Sequence, residues 1–319
     1  MVIVTSHRPR GLTSVSKLNL FVYLNLVPKI GKKPIKFLLL RPNLTQMDLF
    51  SCLSPFVFCS FASGSSGNCY YVGRQDEGII VDVGISALQV VTALKKNDLR
   101  ISDIKAILVT HDHIDHVKGL EVLTKDHPIP IYAHSDCLQG LVEGKATKNV
   151  DQGLFHEIEP LQPFEICGII VEAFPVMHDG RGAVGYHFNY EGHTLTIATD
   201  IGMLDKVVKE EIRRADNLVI EANYDVEMLE KGSYPYILKQ RIAGPFGHLS
   251  NEESARFVAD AYHTGMKNIM LCHLSENNNT PERAMQCLYQ QFRKKHVHPD
   301  VNTSIFPLPR HKSTGFVYL

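Results

Sequence analysis

This chain predicts a layered α/β fold, on three observations. Apolar runs of strand length recur along it, interspersed with segments whose apolar residues repeat at helical spacing. Clusters of Gly, Asn, Asp and Ser punctuate them. Polar, titratable residues gather where the strand-like runs end, the place where layered folds carry their chemistry on loops. At 319 residues, 44% hydrophobic and 21% charged, the chain has globular composition and can bury a substantial core as one large domain or two smaller ones.

In order, "PFVFCSFAS" from Pro55 reads as a strand, "GSSGN" as a turn, and "CYYVG" and "GIIVDVG" as two strands around a charged hairpin. "SALQVVTALKK" follows as a helix with Leu88, Val91 and Leu94 on one face. "IKAILVT" is a short buried strand and "HVKGLEVLTKD" a helix. "IPIYAH" is a strand, and "SDCLQGLVEG" a helix opened by Ser135 or Asp136. The second half repeats the style. "GIIVEAFPVMHD" and "AVGYHFNYEGHTLTIATD" are strands, the latter a hairpin around Glu191-Gly192, and "NLVIEANYD" is another strand. Ser250 and Glu253 form a capping box that opens a helix with Ala255, Val258, Ala259 and Tyr262 toward the core. "NIMLCHL" is a strand, and Thr280-Pro281-Glu282 starts the last helix with proline at its first position.

Residues 1–47 stand apart. They carry eight Lys/Arg and no acid, leaving 25 basic against 34 acidic residues in the remainder, a body of net charge −9. The expected organisation is a basic extension over 1–47 and one domain over 48–319. The extension is read as disordered, as translation from a start upstream of Met47, or as a targeting presequence. Asn, Pro and Lys interrupt its apolar clusters, so nothing approaches the ~20 apolar residues of a membrane span, and no secretory cleavage pattern is evident. Seven scattered cysteines without a C-x-x-C pair argue against a disulfide framework and a zinc ribbon, and for a cytoplasmic protein with reduced thiols.

Directly after "AILVT" the chain reads His111-Asp-His113-Ile-Asp115-His116. Alternate residues of an extended segment point the same way, so His111 and His113 can hold one ion. Asp115 and His116, where the chain turns into a helix, can face a second. Imidazole and carboxylate suit Zn²⁺, Mn²⁺ or Fe, and paired ions about 3.5–4 Å apart make a hydrolytic centre. Further donors stand at strand ends: His178 after "FPVM", Asp200 after "LTIAT" and His273 after "NIMLC". Together they complete two sites, His111, His113 and His178 for one and Asp115, His116 and His273 for the other, with Asp200 bridging.

This set resembles the motifs of the metallo-β-lactamase superfamily over residues 55–319. The resemblance implies an αββα sandwich, two mixed β-sheets flanked by helices, with two divalent ions, Zn or Mn, at one edge of the sheets. Asp82, ending "GIIVD", resembles the aspartate that orients a ligand histidine. Asp200 stands where many true β-lactamases have cysteine, which argues against antibiotic hydrolysis. Glu221 and His248, in "VIEANYD" and "GHLSN", resemble the Glu–His pair of ribonuclease Z-like phosphodiesterases, where the histidine contacts the scissile phosphate.

Three long stretches, "FASGSSGNCYYVG", "IEANYDVEMLEKGSYPYILKQRIAGPFGHLSNEESA" and "LCHLSENNNTPERA", are similar to the bacterial YycJ/WalJ/VicX family. Only 47 residues separate Asp200 from His248, too few for the inserted domain of larger β-CASP ribonucleases. The resemblance implies a two-metal 5′→3′ DNA exonuclease using a metal-bridging hydroxide, with His248, Glu221 and Asp115 as its catalytic groups and no membrane partner. The same centre would serve RNA or a small cyclic or lipid phosphodiester, and a non-catalytic, metal-stabilised partner of a signalling system is the reading of a different class. The "SGSSGN" loop lacks a P-loop lysine, which excludes that mode of nucleotide binding. It is expected as a turn near the site whose Ser or Asn touches substrate. Ser275, Asn277 and Asn278, just past His273, are candidate phosphodiester contacts, and Asp225 to Gly244 a candidate lid carrying Lys231, Lys239 and Arg241.

Overall fold

A computed structural model describes residues 55–319; the expected boundary at residues 47/48 lies outside them. Two seven-stranded sheets face each other. The first comprises β1 (Val57–Ala62), β2 (Cys69–Gly73), β3 (Gly78–Val81), β4 (Ile104–Leu108), β5 (Ile131–Ala133) and β6 (Phe155–Glu157), with β14 (Val317–Tyr318) beside β1. The second runs β13 (Ser304–Pro307), β12 (Asn268–Cys272), β11 (Asn217–Glu221), β10 (His193–Ala198), β9 (Val184–Tyr190), β8 (Ile169–Pro175) and β7 (Phe164–Ile166). Each is mixed. Antiparallel hairpins occupy one side (β14-β1-β2-β3 and β7-β8-β9-β10), and parallel strands continue to the other edge.

Both faces of each sheet are covered, which is why β1, β2, β3, β11 and β12 are buried at every position and read as unbroken apolar runs. Between the sheets Phe58, Tyr70 and Val81 meet Tyr186, Phe188 and Met270. Outside the first sheet, a second core packs Ile80 and Ile107 against α1 (Ala87–Lys96), α3 (Leu120–Asp126) and α4 (Ser135–Glu143). Outside the other, Leu218 and Ile269 pack against α5 (Lys206–Arg213), α8 (Asn251–Ala261) and α9 (Pro281–Lys294). The result is the αββα sandwich of two mixed sheets flanked by helices.

Several elements differ from expectation. Helix α1 buries Val90, Ala93 and Leu94, while Leu88 is 75% exposed and Val91 half-buried. Leu88 sits in the first turn, and the buried stripe is centred one step along. "HVKGLEVLTKD" is two pieces, α2 (Ile114–Val117) and α3, broken at Gly119, which caps the second. His134, rather than Ser135 or Asp136, caps α4, its ring accepting from the Asp136 amide. Tyr262 lies just past α8 as its C-cap, but still packs on that core. The Ser250/Glu253 capping box and the Thr280 cap with Pro281 form as expected. Residues Asp225 to Gly244 fold into α6 (Val226–Lys231) and α7 (Tyr236–Ile242), and α7 buries none of its residues. The six described cysteines, Cys59, Cys69, Cys137, Cys167, Cys272 and Cys287, are free.

Candidate metal centre

The loops that follow β3, β4, β10 and β12 converge at one edge of the sandwich. Three residues just past strands, Asp82 and His273 directly after β3 and β12 and Asp200 two residues after β10, have positive φ of 59°, 51° and 55° respectively. The left-handed conformation is unusual for a residue with a Cβ and costs on the order of 1–3 kcal/mol, so it persists only where the surroundings impose it. Here it breaks the strand's alternation. A tight approach elsewhere has the same origin: a Cβ on Gly84 would lie 1.7 Å from the Asp115 carbonyl oxygen, so only glycine admits the loop bearing Asp115.

Asp82 is fully buried and accepts from the Thr110 amide (2.8 Å), the Thr110 hydroxyl (2.9 Å) and His116 Nδ1 (2.7 Å). Burial raises its pKa, opposed chiefly by His116. Because the Thr110 hydroxyl donates to Asp82, it accepts from His111 Nδ1, 3.0 Å away. The network thus assigns both tautomers, with Nδ1 of His111 and of His116 used as donors and both Nε2 atoms turned inward. His178 follows the same rule, its Nδ1 donating to the Gly247 carbonyl at 2.9 Å while Nε2 lies 3.2 Å from His113 Nδ1.

The inward atoms form two groups. Donor atoms of His111, His113 and His178 lie within 4.8 Å of one another, and so do those of Asp115, His116 and His273. Asp200 groups both with His111 and His116 and with Glu221, His248 and His273. Its Oδ2 lies 2.8 Å from His273 Nδ1 and 3.2 Å from His116 Nε2, and its Oδ1 lies 3.8 Å from His178 Nε2. Asp115 Oδ2 lies 3.7 Å from His116 Nε2 and 3.6 Å from His273 Nε2.

The donor set fits divalent cations. His111 Nε2 is buried with no hydrogen-bond partner among the described residues, a state that costs energy unless something binds there. His116 Nε2, left with a lone pair by its bond to Asp82, has the Asn68 amide at 3.0 Å and also faces the Asp200 carboxylate at 3.2 Å, and a cation or a proton between these two acceptors would relieve their repulsion. Burial opposes charge on His116, but Asp200, Asp82 and Asp115 outweigh it and drive its pKa well up. Burial likewise disfavours charge on Asp200, yet His273 and His116 hold its pKa well below the carboxylate range. Around His111, His113 and His178 burial prevails and lowers each pKa, leaving neutral imidazoles as metal ligation requires.

His248 stands at the rim. Its Nδ1 lies 2.8 Å from Glu221 Oε1, while Glu221 Oε2 accepts from the amides of Ile201 (2.8 Å) and Leu249 (3.1 Å). Burial lowers the His248 pKa, but Glu221, Asp200 and Asp115 more than offset it and raise it to about 9. The cleft of about 330 Å³ over the cluster is lined by Ser65, His113, Ile114, Asp115, Asp200, Arg241, His248 and His273.

Every histidine and aspartate singled out in the sequence as a metal donor is therefore gathered here, with Asp82 behind His116. Ser275 and Asn278 do not line the cleft. Ser275 is buried with its hydroxyl accepting from the Asn278 amide, and Asn278 is 1% exposed beneath Gly232. Exposed Asn277 bonds Tyr234. Of the lid cations, Lys231 pairs with Glu227 and Lys239 bonds the Glu230 carbonyl, while Arg241 reaches the cleft and pairs with Asp179 at 2.6 Å. Asn68 was expected in a substrate-facing turn, but it is buried with Nδ2 3.0 Å from His116 Nε2. Thr110 and Asp179 were missed. Asp179 Oδ1 lies 3.4 Å from His113 and 3.6 Å from His178, and its place next to His178 was the available signal.

Residues 78–273 match the family described as Beta-lactamase superfamily domain, and with the site above this defines a metal-dependent hydrolase of the metallo-β-lactamase fold. The chain is 36% identical over 238 residues to "Exodeoxyribonuclease YycJ" of Bacillus anthracis, covering 75% of this chain and 89% of that protein. It is 33% identical over 251 residues to "Exodeoxyribonuclease WalJ" of Streptococcus pneumoniae, covering 79% and 93%. The chain belongs to the YycJ/WalJ family. The fold is shared with the metallo-beta-lactamase fold protein YhfI from Bacillus subtilis (TM-score 0.58, 17% identity, 82% of this chain and 98% of that one) and with yeast PDE1 (TM-score 0.62, 12% identity, 83% and 100%).

Proposed function

We propose that this protein is a two-metal phosphodiesterase that degrades DNA from strand ends in the 5′→3′ direction. The observation that carries the reading is the Glu221–His248 pair, 2.8 Å apart, at the rim of a cluster of histidines and aspartates. The names of the YycJ and WalJ relatives support DNA as the substrate. His111, His113 and His178 would hold one ion, Asp115, His116 and His273 the other, with Asp200 between them. Bound divalent ions supply Lewis acidity toward phosphoryl oxygens and a water acidic enough to attack phosphorus near neutral pH.

The chain's own groups do the rest. Asp82 and Thr110 fix the rings of His116 and His111, so their Nε2 lone pairs need no reorganisation. Asp115, 20% exposed in its side chain, is the acid of the cluster best placed to accept a hydrogen bond from the attacking water. Glu221 holds His248 protonated and aimed at the cleft, where the imidazolium stabilises charge developing on a phosphate oxygen or the departing strand. Among the described residues no helix is long and apolar enough to cross a membrane.

The deciding experiment uses metal-reconstituted protein on 5′- and 3′-end-labelled linear DNA, closed circular DNA, RNA and a chromogenic phosphodiester. Small products released from the 5′ end of linear DNA, with circles resisted, is the expected result. Circles cut as fast as linear DNA would make the enzyme an endonuclease. Hydrolysis of the small diester alone would assign it a small-molecule substrate.

A further inference from the structure

The chain ends by crossing from one sheet to the other, and this crossover carries the basic run Arg310-His311-Lys312 in an otherwise acidic body. Both of its ends are fastened. The Leu308 amide bonds the Leu271 carbonyl of β12 at 2.8 Å. At the other end Thr314 exchanges two bonds with Ser60 of β1, from its amide to the Ser60 carbonyl and from the Ser60 amide to its hydroxyl, both 3.0 Å. Between these points Arg310 folds over Gly64. A Cβ there would meet Arg310 Nη1 at 2.8 Å and the Leu274 carbonyl oxygen at 3.2 Å, so glycine is what lets the guanidinium lie against the loop.

Among the described residues no carboxylate pairs with Arg310, and its Nη1 is buried without any hydrogen-bond partner there. A guanidinium offers five donors, and leaving a buried one unmet is costly. Burial lowers its pKa, opposed by the field of Glu276, which forms no ion pair with it. Arg310 does not itself line the cleft, but the residues it packs on adjoin the metal cluster on both sides. Ser65, next to Gly64, lines the cleft, and Leu274 directly follows His273. Arg241, the other cation of the cleft, is by contrast already engaged by Asp179 beside His113 and His178. Nothing comparable engages Arg310, so turning its fork from Gly64 toward Ser65 breaks no bond.

We propose that Arg310 binds the strand phosphate that neighbours the scissile one, at a subsite formed with the Gly64–Ser65 loop on the Asp115/His116/His273 side of the cleft. The proposal rests on the phosphodiesterase reading above. The guanidinium fork matches two phosphate oxygens, and such charge-assisted bonds are the strong ones. The bound group is a phosphate dianion at a strand end or a monoanionic diester within the strand. Both present the same oxygens.

The test uses the full-length, metal-reconstituted protein and DNA oligonucleotides carrying one neutral methylphosphonate at successive linkages, with 5′-phosphate or 5′-hydroxyl ends. In the wild type, neutralising one position should lower kcat/KM by roughly ten- to a hundredfold. Arg310→Ala should show about the same loss on the all-phosphate strand and no further loss at that position. Arg310→Lys, which keeps charge without the fork, should recover part of the loss, and it replaces the alanine variant if that one fails to fold. Sensitivity to the 5′-phosphate would assign the subsite to the strand end, and sensitivity to a linkage would assign it to the adjoining diester. The proposal is overturned if the sensitive position keeps its full effect in the Arg310 variants, or if the wild type cuts DNA with no sensitive position. A wild type that cuts no DNA but hydrolyses bis(p-nitrophenyl) phosphate would instead sink the nucleic-acid reading, and the subsite with it.

Discussion

His248 and Glu221 are joined through Nδ1 and Oε1 at 2.8 Å, and the second carboxylate oxygen of Glu221 is held by two backbone amides, those of Ile201 and Leu249. The carboxylate therefore cannot rotate away, and the ring it holds has its other nitrogen free for the cleft. In His248→Ala, kcat should fall by about 10²–10³, the size seen when an oxyanion donor is lost. Metal content should stay at the wild-type level. Elemental analysis beside steady-state kinetics checks both, and a variant that loses metal but keeps its activity per metal would make His248 a ligand.

Reconstituted protein should hold about two divalent ions per chain. His113, at the solvent side of its group, is the candidate ligand whose loss should disturb the fold least, and His113→Ala should lower the count toward about one. A wild-type value that stays at one would contradict the binuclear assignment.

Asp82 combines a charge with a left-handed backbone, φ 59°. Asn tolerates that conformation nearly as well as Asp, whereas Ala does not. Asp82→Asn should thus weaken metal affinity by about 10–100-fold with little change in thermal stability, measured by chelator competition and melting. Asp82→Ala should lower both. Equal melting temperatures for the two variants would show that the backbone conformation carries no strain.

Away from the cleft, His187 on β9 bonds the Thr196 hydroxyl at 2.8 Å, and burial, with a smaller contribution from the Arg214 charge, depresses its pKa to about 3. An unfolded histidine titrates near 6.5. Below that value the unfolded chain binds a proton that the folded one refuses. The stability from a neutral His187 is therefore complete above pH ~6.5 and is lost as pH falls toward 3, by up to ~1.4 kcal/mol per unit. His187→Gln should remove that component. Denaturant midpoints at pH 7.5, 6 and 5, with metal content checked at each, should fall less steeply in the variant, and parallel curves would refute the assignment.

An acidic body of −9 outside the first 47 residues is a poor binder of polyanions. DNA binding should therefore be far weaker after chelation, and its salt slope in the metal-loaded state should be shallow, corresponding to about two to four phosphate contacts. Fluorescence anisotropy over a salt series measures this. A slope near ten contacts would require a basic surface that the described residues do not offer.

Local signals in the sequence were enough to mark most elements and the residues that come together at the cluster. Alternation, capping and strand-end placement are local signals, carried over two to four residues. They sufficed to find the strand that leads into His111–His116, the Ser250 and Thr280 helix starts and the candidate donors His178, Asp200 and His273. Contacts that depend on residues far apart in the chain were settled only by the tertiary structure. The face of α1, shifted away from Leu88, depends on how that helix meets the sheet. Asn278 and Ser275 read as polar and accessible, but the turn at Gly232 and the Asn223 carbonyl enclose them. The left-handed turns at Asp82, Asp200 and His273 have no compositional mark at a histidine, because the surrounding network imposes them. Arg310, 246 positions after Gly64, comes to lie over it only because β13 and β14 join different sheets, and sheet pairing is a property of the whole chain.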